Sequence, residues 1–438
     1  MKKTIFTLII SICLIGCSKQ IDETISPVVD SKDLQLNQNA EELGNLVVPM
    51  LKEPLQLSDS ELAYFNDLKD APIIGLGEAT HGTKEFFQMK HRLFKYFVEK
   101  FNHRIFAFEM DFSEALIFDE YVQTGKGDIV QLMKSKMIFW TWTTSEVKEL
   151  LVWMKDYNIG KASRDRVHIY GMDCQYMSYH IPELNKRLQN IDAKLKTEID
   201  NLLSNKTLGE HIKSSDNVFL KINDLIKTNK SNLIAKSSTE EYKFIEQISN
   251  IMVQTYFLSN EKNDPNTMRD RFMAENTVWL KSLSDFPISV WAHNEHVKNT
   301  QLGSGGGRAM GFYINNIIQG GYKNIGFTFS YGTTTNYDGD AKKFVVMDIN
   351  LSDVRGYANE VFSRVKTPNY FFKFSDIYRK KNLQEYFSTT PFLWTGGGFY
   401  QKDPFYKLFG NFPPISEGTF DYTINISKMT HSDCYWLP

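Results

Sequence analysis

Cysteine is scarce: four residues in 438, of which only Cys174 and Cys434 fall in the body of the chain. Two such residues cannot make a disulfide framework, and neither sits in a Cys-x-x-Cys or Cys–His metal spacing. A basic excess is also missing, since 50 Lys and Arg face 52 Asp and Glu for a net charge of −2. Nothing therefore drives the chain onto a phosphate backbone, and a nucleic-acid partner is not expected. No hydrophobic run reaches the ~20 residues a membrane-spanning helix needs. Gly-x-Ser-x-Gly, Walker and His-Glu-x-x-His motifs are absent, which argues against an ordinary serine esterase, a P-loop enzyme and a zincin. Polar low complexity is lacking too. Apolar residues make up 42% and aromatics 14% of the chain, so a large core is expected and wholesale disorder is excluded.

What the N-terminus does contain is an export pattern. Lys2 and Lys3 precede an apolar stretch from Ile5 to Ile15, and Leu14-Ile15-Gly16-Cys17 resembles the lipobox of bacterial lipoproteins. This predicts a signal peptide over 1–16, lipidation of Cys17 and a polar tether over 17–42. The expected localisation is the cell envelope, lipid-anchored and facing the periplasm or cell surface, with no other membrane contact.

The body of the chain alternates strand and helix patterns. Short, nearly continuous apolar runs occur at Pro72–Gly77, Arg104–Glu109, Val167–Asp173, Ile288–His293 and Asn324–Ser330, with further strand patterns at Lys343–Met347 and Tyr370–Phe374. Such runs suit strands covered on both faces, and helical periodicity separates them, as at Lys84–Phe101 and Ser145–Tyr157. The predicted fold is α/β, a largely parallel central sheet flanked by helices. From Ile181 to Leu283 the pattern is helical throughout. An all-helical insertion, or lid, is therefore expected over 181–284, with the α/β catalytic domain assembled from 43–180 and 285–438.

Ligands of open parallel sheets bind beyond the carboxyl ends of the strands, and here those ends carry unusual polar residues. The first delivers Glu78 and His81, the second Glu109 and Asp111, the third Asp173. The fourth delivers His293, Asn294, Glu295 and His296, and the fifth Thr328 and Ser330. Glycines 75, 77 and 82 permit a tight turn around Glu78 and His81. The helix that begins right after His81 turns its positive end toward the imidazole, which favours the neutral, proton-accepting form. Within that helix Phe86, Phe87, Met89, Leu93, Phe94, Phe97, Val98 and Phe101 form an apolar arc with Lys90 near its centre. A buried ammonium needs a carboxylate, and Glu78 or Glu109 is the expected partner. Likewise Arg269 and Asn276 fall on the buried arc of a helix over Met268–Leu283, where they reach substrate or orient a carboxylate. His293 and His296 with Glu78 and His81 also offer donors for a transition metal.

These residues resemble a known family. The block GLGEATHGTKEFFQMKHRLFKYFVEKFNHRIFAFEMDFSEA, the segment RDRFMAEN, and the motifs YGMD and WAHNEHV are similar to the erythromycin esterase family, bacterial hydrolases that open macrolide lactones. The resemblance implies a metal-independent, cofactor-free carboxylic ester hydrolase acting on a small-molecule macrolide and giving antibiotic resistance. It places the water-activating role on His81, the supporting acidic pair on Glu78 and Glu109, and the later histidines on His293 and His296. One position departs from the family pattern: Lys90 stands where an arginine is expected in the first helix. The catalytic candidates are thus His81, Glu78, Glu109, His293 and Lys90, and the substrate-binding candidates His296, Arg269, Asn276 and Asp173. Lys90, the helix N-terminus or a protonated His293 is expected to stabilise the oxyanion. Two alternatives stand beside this reading, a same-fold hydrolase of another ester or amide and a surface lipoprotein that binds a metal or haem.

Overall fold

A computed structural model describes residues 31–300, 307–392, 399–400 and 414–437. The expected signal peptide, Cys17 and residues 17–30 of the expected tether lie outside the described residues. Residues 31–42 are not a tether. They belong to a helix, Ser31–Gly44, whose Leu36, Ala40 and Leu43 recur at helical spacing and are buried. Arg364 fastens this helix through Asn37 and Asp33.

Among the described residues ten strands form one sheet: β1 (Val48–Pro49), β2 (Ile73–Leu76), β3 (Ile105–Asp111), β4 (His168–Asp173), β5 (Ile288–Trp291), β6 (Tyr322–Asp338), β7 (Lys343–Ile349), β8 (Asn369–Lys373), β9 (Phe399–Tyr400) and β10 (Tyr422–Met429). The main order is β1-β8-β10-β6-β2-β5-β3-β4. From β10 to β4 all neighbours run parallel. β8 and β1 continue the sheet antiparallel, and β7 folds back on the distal half of β6. The α/β class with a largely parallel sheet is therefore the observed architecture.

Burial explains the strand composition. Every residue of β2, β3 and β5 is buried, because helices cover both faces. Helix Lys84–Lys100 lays its Phe-rich arc on the sheet, with Phe94 stacked on Phe106 at 4.3 Å and Phe87 edge-on to Trp291 at 5.0 Å. Each such ring contributes about 1.5–3 kcal/mol by burial alone. Between β4 and β5 the chain forms seven helices, from His180–Ile191 to Pro265–Lys281, with no strand among them. Among the described residues no helix is long and apolar enough to cross a membrane.

Candidate active site

Register brings the strand-end residues together. Leu76, Trp291 and Phe108 are aligned across β2, β5 and β3. Glu78, His293 and Glu109 follow them by one or two residues, so three carboxyl ends deliver their polar groups to one place. Pairing persists past the strands, with Ala292 N donating to Leu76 O at 3.2 Å and Asn294 N to Glu78 O at 2.9 Å. Between β3 and β4 the register slips, so that Glu109 and Met110 together face Met172. Such a bulge re-aims side chains at the sheet edge.

Glu78 is the hub. Its side chain is fully buried; Oε2 accepts from Lys90 Nζ at 2.6 Å and from Trp291 Nε1 at 2.9 Å, and Oε1 meets His81 Nδ1. Burial alone would raise its pKa, but the Lys90 charge and the bonds from His81 and Lys90 bring it down to about 2. An ionised carboxylate only accepts, so His81 Nδ1 carries the hydrogen and the ring's lone pair sits on Nε2. Lys90 has no exposure, and its Nζ stands 4.5 Å from the centre of the Trp291 ring. Burial draws its pKa down to about 8, which leaves it charged at neutral pH. It is committed to Glu78 and to the face of the Trp291 ring.

The turn carrying His81 is clamped from outside the first motif. Thr334 Oγ1 donates to His81 O at 2.6 Å, while Gly82 O accepts from Thr335 N and Ser432 N. Gly82 has φ 67°, and a Cβ there would come within 2.2 Å of Thr335 O, so only glycine fits. The first N–H of the following helix, on Lys84, donates to Thr430 O at 2.9 Å. That donor is therefore occupied within the protein. The His81 side chain keeps 16% exposure.

His293 faces His81 with ring centres 5.5 Å apart. Glu109 Oε2 accepts from its backbone N at 2.9 Å, and its Nδ1 accepts from Glu295 N at 3.2 Å. The ring hydrogen therefore sits on Nε2, which is buried and has no hydrogen-bond partner. Burial, then repulsion from His81, draws the pKa down to about 3. At neutral pH His293 thus offers a neutral N–H and not an imidazolium.

A second charged layer lies behind. Arg269 grips Asp173 through Nε and Nη2 and reaches Glu109 Oε1 at 2.7 Å. His296 lies between Asp270 at 3.0 Å and Glu109 at 3.2 Å. Burial opposes its charge, yet Asp270 and Glu109 outweigh that and push its pKa up to about 10. Burial likewise opposes ionisation of Glu109, but His296 and Arg269 hold it well below the usual range. Glu109 is thereby an anchor for His293 and not a base. Asp173 is wholly buried, and Asn276 is enclosed by Met172 O, Gln247 and Gln254. Both therefore brace the scaffold, whereas Arg269 and His296 retain partial exposure. Asp111 accepts from Tyr176 N and contacts His180, and Thr328 bonds Asn359, so these strand-end residues stand apart from His81.

Trp291, Thr334 and Asp270 complete the site without having been singled out in the sequence. Trp291 reads there as one more apolar strand residue, and Thr334 belongs to a part of β6 beyond its recognisable run. Among the described residues no three His, Cys, Asp or Glu side chains are grouped to hold a metal ion. The donors bond to one another instead.

A buried carboxylate that fixes the tautomer of a partly open histidine, with a second neutral histidine opposite, is an arrangement capable of general-base chemistry. The family model for erythromycin esterase matches residues 98–409. Erythromycin esterase type II of Escherichia coli is 24% identical over 375 residues, 73% of this chain and 88% of its own length. A putative hydrolase, YbfO, of Bacillus subtilis is 27% identical over 279 residues, 56% of this chain and 61% of its own. Among solved structures, a Bacillus cereus protein superposes with TM-score 0.76 at 25% identity, covering 91% of this chain and 99% of its own. A mutant of the erythromycin esterase EreC in its open conformation has TM-score 0.62 at 16% identity, with 88% and 97% covered. The chain belongs to the erythromycin esterase family, and it is a hydrolase.

Proposed function

We propose that the chain opens the lactone ester of erythromycin-like macrolides with water activated by His81, without a metal or other cofactor, and so gives antibiotic resistance. The observation that supports this most is the Glu78–His81 contact, which leaves the imidazole lone pair on Nε2 of a side chain that keeps partial exposure. In the proposed reaction Nε2 takes a proton from water while the water oxygen bonds to the lactone carbonyl carbon. The carbonyl oxygen becomes an oxyanion that receives the buried N–H of His293 Nε2. The tetrahedral intermediate then expels the ring alkoxide, which His81 protonates, leaving a carboxylic acid and an alcohol. Lys90, Trp291 and Glu109 position the two histidines, and Arg269 and His296 present positive charge toward the substrate. Export and lipidation at Cys17 form part of the same proposal, because a lipid-anchored enzyme would meet the drug in the envelope.

Erythromycin incubated with the purified chain should gain the mass of one water, and His81→Ala should slow this by at least ~100-fold. If every macrolactone tested is left intact while simple esters are cleaved, the substrate assignment is wrong and a same-fold esterase remains. A labelled acyl chain recovered on wild type but absent from Cys17→Ala would carry the anchor; its absence from both would remove it.

A further inference from the structure

A cavity of about 480 Å³ opens at the amino-terminal end of β3 and β4, opposite the strand ends that carry the candidate active site. Its wall draws on the turn before β3 (Arg104), the segment before β4 (Arg164 and Arg166), helix Thr239–Asn260 (Lys243 and Phe244) and the turn before β5 (Phe286). Four cations thus line one hollow in a chain whose overall charge is negative. Two carboxylates, Glu240 and Asp285, share the rim. They do not neutralise it: among the described residues Arg104, Arg166 and Lys243 make no ion pair, and Arg164 reaches only its neighbour Asp165 at 3.7 Å.

Arg104 is held in place rather than free to swing. Its Nη1 donates to Val98 O and His103 O, its guanidinium lies 5.0 Å from the centre of the Phe286 ring, and the residue is only 9% exposed. Nε is buried without a partner, and Nη2 forms no hydrogen bond among the described residues. Arg164 approaches the same ring at 5.9 Å. A fixed guanidinium with an unused edge loses little freedom when it meets an anion, and its planar fork matches phosphate oxygens. The Phe286 ring adds an apolar surface beside the charges. A cavity of this size falls within the range of small-molecule sites.

We infer that this cavity is a binding site for a phosphate-bearing small molecule with a planar ring, separate from the hydrolytic centre at the other end of the strands. The phosphate would lie against Arg104, Arg166 and Lys243, and the ring against Phe286.

The test is calorimetric titration of the full chain with AMP, pyrophosphate, inorganic phosphate and citrate. AMP is expected to bind more tightly than inorganic phosphate and to weaken as ionic strength rises. Lys243→Gln and Arg104→Gln should each weaken AMP about 10-fold or more, as loss of a charge-assisted hydrogen bond does. Lys221→Gln, at an unrelated surface pair, should leave binding unchanged, and all three variants should keep the hydrolytic rate. Lys243→Gln guards the test should Arg104→Gln fail to fold. The proposal is overturned if neither AMP nor pyrophosphate binds at millimolar concentration. Citrate binding alone, or AMP binding indifferent to Lys243→Gln, would equally overturn it.

Discussion

Lys90→Met removes an ammonium that has no exposure and no role at the substrate except through Glu78. The methionine fills a similar volume, so the change is chiefly electrostatic. Glu78 then keeps the N–H groups of Trp291 and His81 but loses the Lys90 charge, and burial, the largest influence on it, drives its pKa upward. Removing one member of a buried pair costs about 3–5 kcal/mol. For a chain of this length the entropy of unfolding translates that into a fall of about 3–5 °C in Tm. With Glu78 less readily ionised, His81 loses the partner that fixes its tautomer, so the acid limb of kcat/KM should move to higher pH. The double variant Glu78→Gln/Lys90→Met removes both charges and should regain at least half of the lost stability while activity stays at least ~100-fold down. Urea midpoints and pH–rate profiles on the three proteins decide the matter. A loss below about 1 kcal/mol in Lys90→Met with an unmoved acid limb would refute the reasoning, because the pair would then be no more than a surface-like contact.

His293→Ala deletes the unpartnered Nε2–H and should lower kcat about 10²–10³-fold with little change in KM, the result expected for a donor used mainly by the oxyanion. Glu114 offers a test away from the chemistry: burial pushes its pKa up to about 8 against only a bond from Ile138 N, and Oε2 has no partner. Because the folded state holds that proton more tightly than the unfolded chain, Glu114 takes away stability as pH rises from about 4.5 to about 8. Glu114→Gln should therefore raise the urea midpoint at pH 8 and have little effect at pH 4.5; equal effects at both would show that Glu114 is ionised throughout.

Much of the fold was legible because two-sided burial writes itself into composition. Runs such as PIIGLG and RIFAFE read as covered strands, and the helical stretch before β5 announced itself by periodicity. β10 escaped notice because its Thr423 and Asn425 interrupt the apolar run, yet both are buried among neighbouring strands. Helix Ser31–Gly44 read as a polar tether because its apolar face is narrow, and docking rather than propensity decides its state.

The candidate site divides along the same line. Residue types and their places at strand ends were enough to single out Glu78, His81, Glu109 and His293, since charge at the edge of an apolar strand has few structural uses. The pairings were a different matter: Glu78 takes Lys90 and Trp291, while Glu109 takes Arg269, His296 and the backbone of His293. These partners come from segments far apart in the chain, brought within hydrogen-bond reach by the β2-β5-β3 register. Protonation follows from those contacts and from burial, which hold His293 neutral and His296 charged although only two residues separate them. A one-dimensional string specifies which groups are available, but the local dielectric and the nearest opposite charge exist only after the sheet has assembled.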